Sequence, residues 1–219
     1  MKIDGVIFDW DGVVVASAAL HVASWTQLAA AEGHPPPRVP GLGGLGLKGE
    51  LVVAELLRWT QEPAEIQRLL RRKEELFRER VLRGELAAVP GVQAFLDALR
   101  TAGIPAAVGS SAPRQNITAC AAALGLTGCF AAVVAAEDVG RGKPDPEVFL
   151  KAAERLGCPA RHCVVFEDAP AGLAAACAAG MACVGVLTTR PREELPGADR
   201  YIHSFHDIGV ADLAAITDG

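Results

Sequence analysis

The first apolar run of the chain reads Ile3-Asp4-Gly5-Val6-Ile7-Phe8 and stops at Asp9-Trp10-Asp11-Gly12. A short run carrying β-branched residues and ended by a carboxylate predicts a strand over Ile3–Phe8. Its partners lie far along the chain. After Pro90-Gly91, short apolar runs at Pro105–Gly109, Ala131–Ala135, Cys163–Glu167, Cys183–Leu187 and Tyr201–Ile202 read as strands. They alternate with helical patterns at Val92–Ala102, Pro113–Leu124, Pro146–Leu156, Ala171–Ala179 and Ile208–Ile216. Such alternation predicts βαβ units, and so an α/β doubly wound parallel sheet, a Rossmann-like core that Ile3–Phe8 joins.

Between the first strand and this alternation the pattern is helical only. Ser17 to about Glu32 has helical apolar spacing, Pro35-Pro36-Pro37 and Pro40 break it, and Glu50–Trp59 resumes it. Ala64–Leu82 sets Ile66, Leu69, Leu70, Lys73, Leu76, Phe77 and Arg80 along one face, with expected ion pairs Glu74–Arg78 and Glu79–Arg83 on a solvated one. The expectation is an inserted all-helical cap domain over residues 17–87, and a catalytic core made of 1–16 plus 88–219.

With 219 residues the chain can bury a full core without staples, and 21% charged against 51% hydrophobic residues excludes global disorder. A net charge of −5 speaks against a nucleic-acid partner. At 5% aromatic, the core is expected to consist of Ala, Leu and Val. The six cysteines form no Cys-x-x-Cys pair and read as buried thiols of a reducing compartment. The early acids exclude a signal peptide. Ala171–Thr189 is uncharged and long enough to span a bilayer, but Gly172, Gly180 and Gly185 interrupt it and Leu and Ile are scarce. It reads better as a helix to about Ala179, a Gly180 cap and a buried strand. No membrane and a cytoplasmic location are the expectations.

Ligands of open α/β sheets bind beyond the carboxyl ends of the strands. There this chain places Asp9 and Asp11, then Ser110 and Ser111, then Lys143 after a loop, then Glu167 and Asp168. Carboxylates gathered in one place repel unless a cation joins them, and an oxygen-only donor set suggests Mg²⁺. A carboxylate is a known covalent phosphoryl acceptor, so Asp9 and Asp11 fit a nucleophile and a proton donor beside it. Gly12 allows the chain to turn away tightly. Pro113 at a helix start leaves free N–H groups near Ser110 and Ser111 that favour an anion. In Gly142-Lys143-Pro144-Asp145-Pro146 the prolines stiffen the backbone that carries Lys143, and Asp145 looks like an N-cap.

Phe8-Asp9-Trp10-Asp11-Gly12-Val13, Gly109-Ser110-Ser111, Gly142-Lys143-Pro144-Asp145-Pro146 and Val165-Phe166-Glu167-Asp168-Ala169-Pro170-Ala171-Gly172 resemble the four motifs of the haloacid dehalogenase superfamily, in its phosphatase and β-phosphoglucomutase-like branch. The resemblance covers nearly the whole chain. It implies Asp9 as nucleophile, Asp11 as general acid and base, Ser110 as phosphate-binding hydroxyl and Lys143 as charge anchor. It further implies Mg²⁺ held by Asp9, the Asp11 carbonyl and Asp168, with Glu167 nearby. The substrate is expected to be a small phosphorylated metabolite, sugar-like. Asp11 argues against the dehalogenases of the family, which lack it. Ala16-Ser17 departs from the branch, which shows an acid where Ala16 stands.

Two rival activities share these residues. A hexose-phosphate mutase would use the same phosphoenzyme, but Ser111-Ala112-Pro113-Arg114 lacks the Lys-Asn pair of some mutases. A non-enzymatic phosphate-responsive module would use the same acids; Lys143 and the cap speak against it. Arg114 is a candidate phosphate contact. In the cap, Gly41-Leu42-Gly43-Gly44-Leu45-Gly46 lacks the strand a dinucleotide fingerprint needs and reads as a loop. Lys48 and His21 are candidate specificity residues, and Trp25 reads as packing. The sequence leaves the oligomeric state unknown.

Overall fold

Strand β1 (Gly5–Phe8) is buried along its whole length and lies at the centre of the molecule. A computed structural model describes residues 3–39, 42 and 49–216. In it β1 pairs in parallel with β2 (Ala106–Gly109) on one side and β4 (Cys163–Glu167) on the other. With β3 (Ala132–Val134), β5 (Ala182–Val186) and β6 (Arg200–Ile202) the sheet has six parallel strands in the order β3-β2-β1-β4-β5-β6. The chain order reverses at β1, so the carboxyl ends of β1, β2 and β4 flank the crevice where such sheets bind ligands.

Side-chain alternation along each strand builds two cores. Val6, Phe8, Val108, Val164, Phe166 and Val184 face one layer, with α4 (Val92–Thr101) and α5 (Arg114–Ala123). Ile7, Ala107, Val165 and Cys183 face the other, with α6 (Glu147–Leu156) and α7 (Pro170–Ala178). The expectation of a core of Ala, Leu and Val needs correcting on the first face. There Phe8 stacks on Phe166 at 5.2 Å, and Phe95 and Phe205 pack against both. Composition fixes how many aromatics exist, whereas strand alternation decides where they meet.

The helical block consists of α1 (Ala18–Glu32), α2 (Gly49–Leu51) and α3 (Pro63–Leu82). It has its own apolar cluster, with Trp25, Leu28, Val53, Leu69 and Leu76 at its heart, and Trp25 packs as expected. Phe77 and Val81 of α3 and Leu20 of α1 join the sheet-side cluster instead. The continuous helix expected over Glu50–Trp59 is replaced by α2 and a π-type turn, Val52–Leu56, ended by Arg58 at φ 54°. The wide turn accompanies the burial of both Val52 and Val53.

A second correction concerns Ile208–Ile216. Only α8 (Leu213–Ile216) is α-helical, after a 3₁₀ turn at Val210–Asp212. Asp212 accepts the N–H of Gly209 at 2.7 Å, a local bond that competes with helix. Gly180 takes a left-handed φ of 67° between α7 and β5, as expected of a helix-ending glycine. Among the described residues no helix is long and apolar enough to cross a membrane.

Candidate active site

Two neighbouring strand ends deliver the acids. Asp9 follows β1, its N–H bonded to the Phe166 carbonyl at 2.9 Å, and Glu167 ends β4 with Asp168 after it. Each of Asp9, Glu167 and Asp168 offers a carboxylate oxygen lying within 4.8 Å of the others. They are 7%, 1% and 3% exposed. The Lys143 ammonium, 9% exposed, donates to Asp9 Oδ1 and Glu167 Oε2, both at 2.7 Å. Three buried carboxylates thus face one buried ammonium. Burial, then the Glu167 charge, push the Asp9 carboxyl up to about 7 in spite of Lys143. Burial, Glu167 and Asp9 likewise hold Asp168 well above the usual carboxylate range. Burial would lower the Lys143 ammonium, but Asp9 and Glu167 outweigh it and raise it. The excess of negative charge among hard oxygen donors fits a divalent cation such as Mg²⁺.

Glu167 has less room for metal than Asp168. Its Oε2 takes Lys143, and its Oε1 accepts the N–H groups of Asp168 and Ala169 at 3.0 Å. Gly172 of α7 makes this possible, because a Cβ there would sit 1.9 Å from Glu167 Oε2. Gly12, at φ 80°, plays the same part for Asp168, whose Oδ2 a Cβ would meet at 2.1 Å. Thr189 holds Asp168 by donating to Oδ2 at 2.5 Å, and Thr188 donates to the Gly12 carbonyl at 2.5 Å.

Asp11 faces the helical block. Its Oδ1 accepts from Ser17 Oγ at 2.5 Å and from His21 Nε2 at 3.0 Å. His21 Nδ1 lies 2.7 Å from Lys73 Nζ, and the ring stacks on Phe77 at 4.3 Å. An ammonium has only hydrogens to offer, so Nδ1 accepts and Nε2 carries the proton that Asp11 receives. Burial would raise the Asp11 carboxyl, but His21, Ser17 and Lys73 outweigh it and hold it below the usual range. The expected general acid and base therefore stands as a carboxylate here.

These groups open into a cavity of about 620 Å³ between the sheet edge and the helical block. The sheet side supplies Asp9, Asp11, Ser110, Ser111, Lys143 and Asp168; the helical side includes His21, Gln67, Arg71, Lys73 and Arg78. Ser110, buried, accepts the Ala112 N–H at 3.0 Å. Asp145, expected as the N-cap of α6, stands one residue ahead of it: Pro146 is the cap, and Asp145 accepts the Glu147 N–H at 3.0 Å, closing the turn into the helix.

Some expected residues fall elsewhere. The Arg114 side chain turns away from the cavity to Asp138 and, at 3.3 Å, to the Val133 carbonyl, because a better anion is already there. Its N–H donates to Glu137 at 3.1 Å, so that part of the expected anion site at the start of α5 is taken. Glu74 does not bridge to Arg78: it bonds Lys73 at 3.0 Å and Asn116 at 2.6 Å, and Arg78 bonds Asn116 at 2.9 Å. Around a buried Lys73, Glu74 and Arg78 are half-buried and face α5, not open solvent; the pair Glu79–Arg83 does form, at 3.6 Å. Lys48 and the glycine-rich run over 41 and 43–46 lie outside the described residues.

Ser17, Lys73, Asn116 and Thr189 were missing from the candidates. Lys73 carried a signal, being a cation inside an apolar stripe. So did Thr189, which the strand-end test would have found beyond β5.

The haloacid dehalogenase-like hydrolase family's sequence model matches residues 3–180, and the chain belongs to that family. The chloroplastic 5-amino-6-(5-phospho-D-ribitylamino)uracil phosphatase of Arabidopsis thaliana is 35% identical over 217 residues, 98% of this chain. The match spans only 58% of that longer protein. Hexitol phosphatase A of Escherichia coli (strain K12) is 32% identical, covering 96% of this chain and 95% of its own. Among solved structures, a variant of CbbY from Rhodobacter sphaeroides in complex with xylulose-(1,5)bisphosphate superposes with a TM-score of 0.85. It is 28% identical, covering 97% of this chain and 99% of its own.

Proposed function

We propose that the chain is a Mg²⁺-dependent phosphatase for a small phosphorylated metabolite, a sugar or polyol phosphate, working through an aspartyl-phosphate on Asp9. One observation carries this reading: three buried carboxylates and one buried ammonium meet at strand ends on the floor of a closed-over cavity. The named activities of the full-length relative from Escherichia coli and of the longer plant relative support the ester class.

Lys143 fixes Asp9 Oδ1 and leaves Oδ2 to attack phosphorus in line. Asp9, Asp168 and the Asp11 carbonyl would hold Mg²⁺, with Glu167 orienting Lys143 and the Asp168 backbone. The cation, when bound, offsets the repulsion between Asp9 and the incoming phosphate. Ser110 and Ser111 receive phosphoryl oxygens. Asp11 gives its proton to the leaving oxygen, then takes one from the water that cleaves the aspartyl-phosphate. Asp11 is a carboxylate at rest, and the negative phosphate arriving beside it pushes it toward the protonated form the first step needs. Residues 17–87 serve as the cap that excludes bulk water and reads the leaving group. His21 serves Asp11 and not the substrate. Six free thiols fit a reducing compartment, and we place the enzyme in the cytoplasm.

The test is Asp9→Asn with p-nitrophenyl phosphate and Mg²⁺. Turnover is expected to fall at least about a thousandfold, as for loss of a nucleophile; retained turnover, or turnover indifferent to EDTA, contradicts the reading. Release of inorganic phosphate from β-glucose 1-phosphate is expected; glucose 6-phosphate as the product would make it a mutase.

A further inference from the structure

Asn116 lies on α5, in the sheet core, yet it is 2% exposed and its amide is bonded at both ends to the helical block. Its Nδ2 donates to Glu74 Oε2 at 2.6 Å, and its Oδ1 accepts from Arg78 Nη1 at 2.9 Å. The two partners fix which way the amide faces. From Glu74 the bonds continue: Lys73 Nζ donates to Glu74 Oε1 at 3.0 Å and to His21 Nδ1 at 2.7 Å, and His21 Nε2 donates to Asp11 Oδ1 at 3.0 Å. The chain of contacts starts on the core, crosses into the helices, and returns to the core at Asp11.

We propose that Asn116 is a positioning residue for Asp11: it seats Glu74 when the helical block rests on α5, and Glu74, Lys73 and His21 then aim the Asp11 carboxyl at the leaving oxygen. The proposal rests on the reading of Asp11 as general acid and base.

The logic is directional. Lys73 is buried and has three hydrogens, shared between His21 and Glu74 and lying over the Trp25 and Phe77 rings. Without Glu74 held in place, that ammonium has no fixed carboxylate and no reason to present a hydrogen to His21 Nδ1. The imidazole can then adopt the other tautomer or turn, and Asp11 loses the donor that orients it. Asn116 and Asp11 stand on the core and the three residues between them on the helical block, so the arrangement is complete only with the two in contact. None of its hydrogen bonds ends on Asp9, Lys143 or Asp168. Phosphoryl transfer to Asp9 is thus separable from proton delivery to the leaving group.

That separation gives the experiment. Phenyl phosphate and p-nitrophenyl phosphate have similar shapes, but phenolate leaves poorly without a proton and p-nitrophenolate leaves readily. Wild type, Asn116→Ala, Glu74→Gln and Asp11→Asn are compared by kcat/KM on both, which reports steps up to departure of the leaving group. Asn116→Ala is expected to lower kcat/KM about tenfold more for phenyl than for p-nitrophenyl phosphate, a fraction of what a general acid contributes. Glu74→Gln keeps the shape but not the charge, and should reproduce the split if Asn116→Ala does not fold. Equal losses on both esters, or no loss, overturn the proposal when Asp11→Asn still shows a split. If Asp11→Asn shows none, the acid and base reading of Asp11 itself fails.

Discussion

As the proposed nucleophile, Asp9 has to keep a reactive carboxylate inside a buried, negatively charged floor. Lys143 gives it a fixed partner at 2.7 Å, yet burial and Glu167 still push it up to about 7. On the proposed reading, Mg²⁺ would have to displace the proton that this raised value favours on Asp9. The sign follows from the raised value: below about pH 7 proton and cation compete for Asp9, and above it the competition ends. Mg²⁺ at a fixed excess should raise the melting temperature more at pH 8 than at pH 6. An equal rise at both would remove Asp9 from the cation's ligands.

Residues also show how much was legible in sequence. Asp9, Asp11, Ser110, Lys143, Glu167 and Asp168 come together as their positions imply, because strand ends in a parallel sheet face one crevice and position along the chain translates into position in space. Asn116 and Glu74 were not found. Their meaning lies in a contact between α5 and α3, and helix periodicity says nothing about which body a polar residue meets. Arg114 erred for a related reason: a helix start attracts anions, but Glu137 of the same chain had arrived first.

Among the elements, the loop ahead of α6 carries Lys143 and needs rigidity that its prolines alone do not give. Glu147 accepts the N–H groups of Gly140 and Arg141 at 3.1 and 2.9 Å and the Lys151 ammonium at 2.6 Å. Lys151 first, then those two N–H groups, bring the half-buried Glu147 carboxyl down to about 2. A depressed carboxyl contributes stability above its ordinary value of 4.5 and loses it as the pH falls toward about 2. Urea melts of Glu147→Gln should thus show a stability gap to wild type at pH 7 that closes between about pH 4.5 and 2. A gap that is independent of pH would mean that Glu147 acts by packing alone. Strand boundaries were legible to within two residues, since buried apolar runs end where polar ends begin. The helix expected over Ile208–Ile216 was not, because Asp212 bonds its own neighbourhood.

Over the whole molecule, a sheet with two buried faces gathers the acids at its strand ends, and a block of helices lines the other side of the cavity. The cavity is built from both, so in the proposed mechanism the two part for substrate entry and meet for catalysis. Hydrogen exchange with Mg²⁺ and beryllium fluoride present should slow in α1 and α3 and leave β4, already buried, unchanged. Uniform slowing across both bodies would contradict a covering role for residues 17–87. The most direct single measurement is a crystal structure grown with Mg²⁺ and beryllium fluoride. Beryllium bonded to an Asp9 carboxylate oxygen, with Mg²⁺ against Asp168 and fluorines near Ser110 and Lys143, is the result expected of a phosphoryl-accepting Asp9. An unbonded Asp9, or a fluoride complex held elsewhere in the cavity, would contradict it.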